Sequence, residues 1–342
     1  MDSLTITRPD DWHLHLRDDA EMADVVGYTG AQFSRAMVMP NLAPPVTTTQ
    51  SALAYRKRII DALPEGADFQ PLMTLYLTDN TPPEEIVAAK NSGQVYGIKL
   101  YPAGVTTNSD AGVTDLDRCT ETLEKMAETG LPLQVHGEVT DPDIDIFDRE
   151  AVFIDRVLAP LHEKLPALKI IFEHVTTTRA VEFVNNASQN IAATITPQHL
   201  LYNRNALFNG GLRPHYYCLP ILKLESDRQT LVRAATSGAS KYFLGTDSAP
   251  HSRLVKEKSC GCAGIFSAPA ALEMYAEAFD RAGKLDKLEY FASHAGPDFY
   301  DLPRNTGTIT LYRNAQTLAE DLPFGDQRIV PFRAGETLNW ST

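Results

Sequence analysis

The stretch DDWHLHLRDD, residues 10–19, sets three polar side chains, His13, His15 and Arg17, at alternate positions, with Trp12, Leu14 and Leu16 between them. In an extended strand successive side chains point to opposite faces. The spacing therefore predicts histidines and arginine on one face and apolar residues on the other. One face packs, and the other presents chemistry.

Seven further β-rich runs follow: RAMVM (35–39), FQPLMTLYL (69–77), VYGIKLY (95–101), LPLQVH (131–136), KIIFEH (169–174), IAATIT (191–196) and KYFLGTD (241–247). Helical patterns lie between most of them, among them TQSALAYRKRIIDAL (49–63), LDRCTETLEKMAETG (116–130) with its closing glycine, and DREAVFIDRVLAPLHEKL (148–165). Strand and helix alternating eight times predict an α/β protein of the (β/α)8, or TIM, barrel type. Beyond Asp247, residues 249–264 read as a long loop after the eighth strand, 267–283 as the helix that follows, and the tail from Pro303 as irregular strand and turn. With no linker or repeat, the expectation is one barrel domain over 1–342, with 303–342 an extension packed on it.

The 342 residues, 43% of them hydrophobic, suffice for a sizeable core. A net charge of −13 and a pI near 5.1 argue against a nucleic-acid binder, which needs a basic surface. The opening residues MDSLTITRPDD read as no secretory leader, and no apolar stretch approaches bilayer length, so the expected compartment is the cytoplasm, with no membrane partner. Four cysteines do not make a disulfide framework in a chain this long. Cys260 and Cys262 in SCGCAG could ligate a metal, but without a second such pair a tight glycine turn is the simpler reading.

The polar residues fall at the C-terminal ends of the runs: His13 and His15 on the first, Lys99 on the fourth, His136 on the fifth, His174 on the sixth and Asp247 on the eighth. In a barrel those ends form the mouth where sites are built. Singly, each has a plain explanation: a hydrogen-bonded structural histidine, a snorkelling lysine, a capping aspartate. Together they make a dense polar cluster that needs something bound, and two divalent metals would satisfy it. His162, His199, His215 and His294 lie away from these positions and read as structural or exposed. Glu138 and Asp141 read equally as partners orienting an imidazole or as solvated loop carboxylates.

The pattern His-x-His, Lys, His, His, Asp resembles the amidohydrolase superfamily. That resemblance implies two Zn2+ per subunit bound by His13, His15, His136, His174 and Asp247 and bridged by Lys99 as N6-carboxylysine. The motifs HLHLRD, MPNLAPPV, GIKLYPAG followed by TTNSDAGV, LQVHGEV, FEHVTT, ITPQHL, LGTDSAPH and CGCAG together are similar to the compact bacterial-type dihydroorotases. The match runs in order from about residue 10 to the end of the barrel. It implies reversible conversion of N-carbamoyl-L-aspartate to L-dihydroorotate in pyrimidine (UMP) biosynthesis. A metal-bridging hydroxide would attack the ring amide, with Asp247 as general acid and base. The resemblance assigns substrate contacts to Arg17, Asn41, Leu219, His251 and Ala263, places Thr106 and Thr107 on a loop that closes over the site, and implies a homodimer. Arg17 suits a bidentate carboxylate clamp; Asn41, after Pro40, is equally a common turn residue. Rival readings are another cyclic-amide hydrolase, hydantoinase or allantoinase, and a barrel scaffold that has lost its chemistry.

Overall fold

The computed structural model describes residues 2–342. Eight parallel strands, β2 (Asp10–Leu14), β3 (Arg35–Val38), β4 (Gln70–Tyr76), β5 (Val95–Leu100), β6 (Leu133–Val135), β7 (Ile170–Phe172), β8 (Ile191–Ile195) and β9 (Tyr242–Leu244), form one sheet in chain order. A parallel bridge between Leu14 and Ser248 closes it into a barrel, helped by hydrogen bonds from Asp247 N to His13 O and His15 N to Ser248 O. All eight strands overlap the runs read from sequence. Their apolar content reflects burial on both faces beneath the outer helices.

Sequence chemistry sets the helix boundaries. The helix Thr49–Ala62 opens on a capping box between Thr48 and Ser51. Thr120–Thr129 ends on Gly130 in the left-handed region at φ 66°, where glycine carries no Cβ penalty. The run 148–165 is helical, but its middle, Ile154–Leu158, widens into a π turn. The loop 249–264 contains a short helix, Arg253–Lys256, and the helix after it is Ala271–Arg281, preceded by a 3-10 turn.

Two expectations are corrected. The strand reading of WHLHLR ends at Leu14, and the register with β3 shifts between Asp11 and Leu14. Such a bulge turns the side chains beyond it. Trp12 consequently packs in a cluster with Met37, Leu72, Ile171, Ala192, Phe243 and Tyr300, whereas Leu14 and Leu16 join the main core. Arg17 lies past the strand, at φ 65°. The second correction concerns the N-terminus, for which no strand was expected. There β1 (Ser3–Thr7) pairs antiparallel with β10 (Thr308–Tyr312). The remaining tail folds into two small antiparallel sheets, residues 316–317 with 337–338 and 322–324 with 327–329.

Candidate active site

The site is assembled by strand ends. Lys99 is the penultimate residue of β5; His136 follows β6 directly; His174 lies two residues past β7 and Asp247 three past β9. Ring centroids of His13 and His15 lie 5.4 Å apart, His13 and His174 5.0 Å, and His136 and His174 4.7 Å. The Asp247 carboxylate sits 3.1 Å from His15 Nε2 and 3.5 Å from His13 Nε2. The ligating atoms of His13, His15 and Asp247 all lie within 4.8 Å of one another, close enough for one ion. Three of the residues at the mouth, Arg17, His174 and Asp247, have positive φ (65°, 39° and 46°) despite carrying side chains. Strain of this kind persists where the surrounding structure enforces it.

Buried carboxylates fix the rings. His13 Nδ1 donates to Glu173 at 2.8 Å, leaving the Nε2 lone pair facing inward. His136 Nε2 meets Glu138 at 2.9 Å, which leaves Nδ1 as the free acceptor. Glu138 is thus buried and bound to an imidazole, while Asp141 is exposed and pairs with Arg156. Glu150, fully buried, accepts from the backbone and hydroxyl groups of Thr176 and Thr177, and so holds the turn after His174. Asp11 accepts from the amides of His13 and Thr246, tying together the first and last strand ends.

Electrostatics follow from burial. Burial draws Lys99 down to about 8 against the opposing pull of Glu173 and Asp247. His13 and His174 are held well below the usual imidazole range, first by burial and then by neighbouring positive charge, so both are neutral donors of lone pairs. Burial pushes Asp247 up, but the His15 hydrogen bond and the charges of His13, His15 and Lys99 outweigh it and leave the carboxyl low. Lys99 Nζ is buried with no hydrogen-bond partner, as are His174 Nδ1 and one oxygen each of Glu173 and Glu138. Unsatisfied atoms at this density, among them a neutral imidazole and two carboxylates, fit a cation site.

A narrow pocket opens onto this cluster. Its walls bring together His13, His15, His136, His174, Asp247, Arg17, Asn41, Thr106, Thr107, Leu219, His251 and Ala263. Every residue expected there from sequence is present except Lys99, which is fully buried. Tyr101, Ala249 and Gly264 also line it and were not foreseen. Arg17 is held by Nε to Pro250 O at 2.8 Å and by Nη2 to His251 Nε2 at 2.6 Å. Since arginine only donates, His251 carries its proton on Nδ1. The loop bearing Thr106 and Thr107 lies across the pocket, with Asn41 Nδ2 donating to Thr107 O at 3.1 Å and Thr107 Oγ1 to Ala263 O at 3.4 Å. A wider surface groove bordered by Leu200, Phe208, Arg228 and Arg281 gathers no histidine, and none of its lining side chains has a buried unpartnered polar atom.

The other histidines lie apart. His199 is buried between Thr196 and Pro220 O, His215 pairs with Glu257, and His294 approaches Glu289 and Thr7. All four cysteines are free thiols. Gly261 passes Lys256 so closely that a Cβ would lie 2.4 Å from its carbonyl oxygen, the tight turn expected of SCGCAG.

The Amidohydrolase family profile matches residues 9–318. A curated dihydroorotase of Cupriavidus pinatubonensis is 67% identical over 337 residues, 98% of each chain. Another, of Ralstonia nicotianae, is 65% identical over 342 residues, spanning 100% of this chain and 99% of its own. Among solved structures, a dihydroorotase of Saccharomyces cerevisiae in complex with 5-fluoroorotic acid superposes with a TM-score of 0.92 at 33% identity, over 100% of this chain and 98% of that one. Identity of this depth over the full length, on the same barrel, places the chain in the amidohydrolase family and, within it, among the dihydroorotases.

Proposed function

We propose that the strand-end cluster holds two zinc ions and that the chain uses them to interconvert N-carbamoyl-L-aspartate and L-dihydroorotate, as a cytoplasmic homodimer serving pyrimidine synthesis. The observation that carries this reading is Lys99: a lysine buried without a hydrogen-bond partner among four histidines and a carboxylate. Its amine, drawn down to about 8, adds to CO2 in its neutral form, making a carbamate and releasing a proton. The carbamate would bridge the two ions, with His13, His15 and Asp247 on one side and His136 and His174 on the other. Metal held there would supply Lewis-acid polarisation of the ring carbonyl and a more acidic water.

The remaining roles belong to this chain's side chains. Asp247, kept ionised, accepts the proton of the attacking water and delivers it to the ring nitrogen as the amide C–N bond breaks. In ring closure it removes the proton from the ureido nitrogen. Arg17 holds the substrate carboxylate, its guanidinium fixed in place by Pro250 and His251, with Asn41 and His251 as further contacts. Leu219 and Ala263 present backbone groups to the ring, and Thr106 and Thr107 close over it and exclude water. The 5-fluoroorotic acid of the yeast enzyme, a ring bearing one carboxylate, has the same recognition elements. Residues 303–342 belong in this reading to the one barrel domain, and no helix among the described residues is long and apolar enough to cross a membrane.

The test is hydrolysis of L-dihydroorotate by zinc-supplied protein beside hydantoin and allantoin. Selective loss of L-dihydroorotate is expected, because only that substrate offers Arg17 a carboxylate. Preference for hydantoin or allantoin would favour the rival hydrolase reading, and no turnover with metal bound would favour a scaffold.

A further inference from the structure

Two backbone segments that border the pocket belong to no barrel strand: residues 217–219, ending at Leu219, and 262–264, containing Ala263 and Gly264. Something other than the sheet ladder must set their separation. Lys256, the last residue of the helix Arg253–Lys256, is only 3% exposed and reaches between them. Its Nζ donates to Tyr217 O at 2.9 Å, Cys262 O at 3.0 Å and Gly264 O at 2.7 Å. An ammonium has three protons, and here all three are used on the main chain of these two segments. The only direct main-chain bond between the segments is the one from Gly264 N to Tyr217 O, at 3.0 Å. Among the described residues no carboxylate pairs with Lys256, and burial draws its pKa down to about 8. A cation buried without a counter-ion costs stability. Its position is explained by the three carbonyls it serves, of which Tyr217 O also accepts from Gly264 N.

We propose that Lys256 is a positioning residue for substrate recognition, its ammonium clamping segments 217–219 and 262–264 at the separation at which Leu219 and Ala263 meet the ring. The inference rests on the dihydroorotase reading above. It separates two functions in space: the reacting groups stand on strand ends that Lys256 does not touch, whereas the ring contacts depend on it. Loss of the clamp therefore weakens binding and spares the chemical step.

The experiment compares wild-type protein, Lys256→Met and Lys256→Arg, each zinc-supplied. The readouts are KM and kcat for L-dihydroorotate, Kd for 5-fluoroorotate by calorimetry, zinc content and thermal midpoint. The methionine variant keeps the length and removes the donors; the arginine variant keeps the charge, but its planar fork does not match three converging carbonyls. Expected for Lys256→Met is a rise of about tenfold or more in both KM and Kd, corresponding to the loss of one or two net hydrogen bonds. Turnover should stay within about twofold and zinc content should be unchanged, with Lys256→Arg intermediate. Folded variants with unchanged KM and Kd, or with kcat lowered at constant KM, overturn the clamp. If neither variant folds, Lys256 is a stability residue and the assignment falls. Wild type inactive on L-dihydroorotate would instead overturn the functional reading, and this inference with it.

Discussion

At the scale of single residues, a recognition arginine gains specificity by being held in place. Arg17 donates to Pro250 O and to His251 Nε2 before any substrate arrives, and its backbone adopts a φ of 65°. Such anchoring leaves little freedom to lose on binding a carboxylate. Lysine at this position could supply charge but no fork. Arg17→Lys is expected to lower kcat/KM for L-dihydroorotate by about 100-fold, the equivalent of one charge-assisted hydrogen bond; steady-state kinetics of the folded variant check this. Unchanged kinetics would remove the clamp. Arg17 was legible in sequence by spacing, although the strand meant to carry it stops at Leu14. Glu173 and Tyr101 were not singled out, because nothing in a single sequence separates a carboxylate buried behind His13, or a tyrosine over Lys99, from ordinary strand-end residues.

At the scale of elements, the barrel delivers three of the proposed ligands, His136, His174 and Asp247, just past strand ends, on turns that must themselves be secured. The turn after β7 depends on Glu150, which starts in a different helix, Arg149–Phe153, and receives two amides and two hydroxyls from Thr176 and Thr177. Glu150→Ala strands these donors and is expected to cost about 3 kcal/mol. Urea unfolding measures that loss, and zinc content should fall with it because His174 loses its fixed turn. A variant of wild-type stability and full zinc content would show the turn to be held otherwise. The eight strands were legible because each is an apolar run bounded by turn chemistry. The pairing of β1 with β10 was not, since their residues lie about 300 apart in sequence and the exposed faces of both carry threonines.

Over the whole molecule, the barrel keeps several ionisable groups in the state least like that in water. His199 is the clearest case outside the strand-end cluster. Burial and then the charge of Lys223 draw it to about 4, and its Nε2 donates to Pro220 O at 3.0 Å while Nδ1 meets Thr196 Oγ1 at 2.7 Å. The folded pKa lies below the unfolded value of about 6.5, so its contribution is present above pH 6.5 and is lost as pH falls towards 4. The loss across that window is about 3 kcal/mol. Urea midpoints measured from pH 7 to pH 4 should show it, and His199→Gln should flatten the slope; equal slopes would contradict it. Strand ends from around the barrel converge on a buried lysine, and counting zinc per subunit in wild type and in Lys99→Ala shows whether they hold a metal pair through it. Two tightly bound zinc ions are expected in the wild type, and loss of the pair, with activity, in the variant. Two tightly bound ions retained by Lys99→Ala would contradict the bridging role of Lys99.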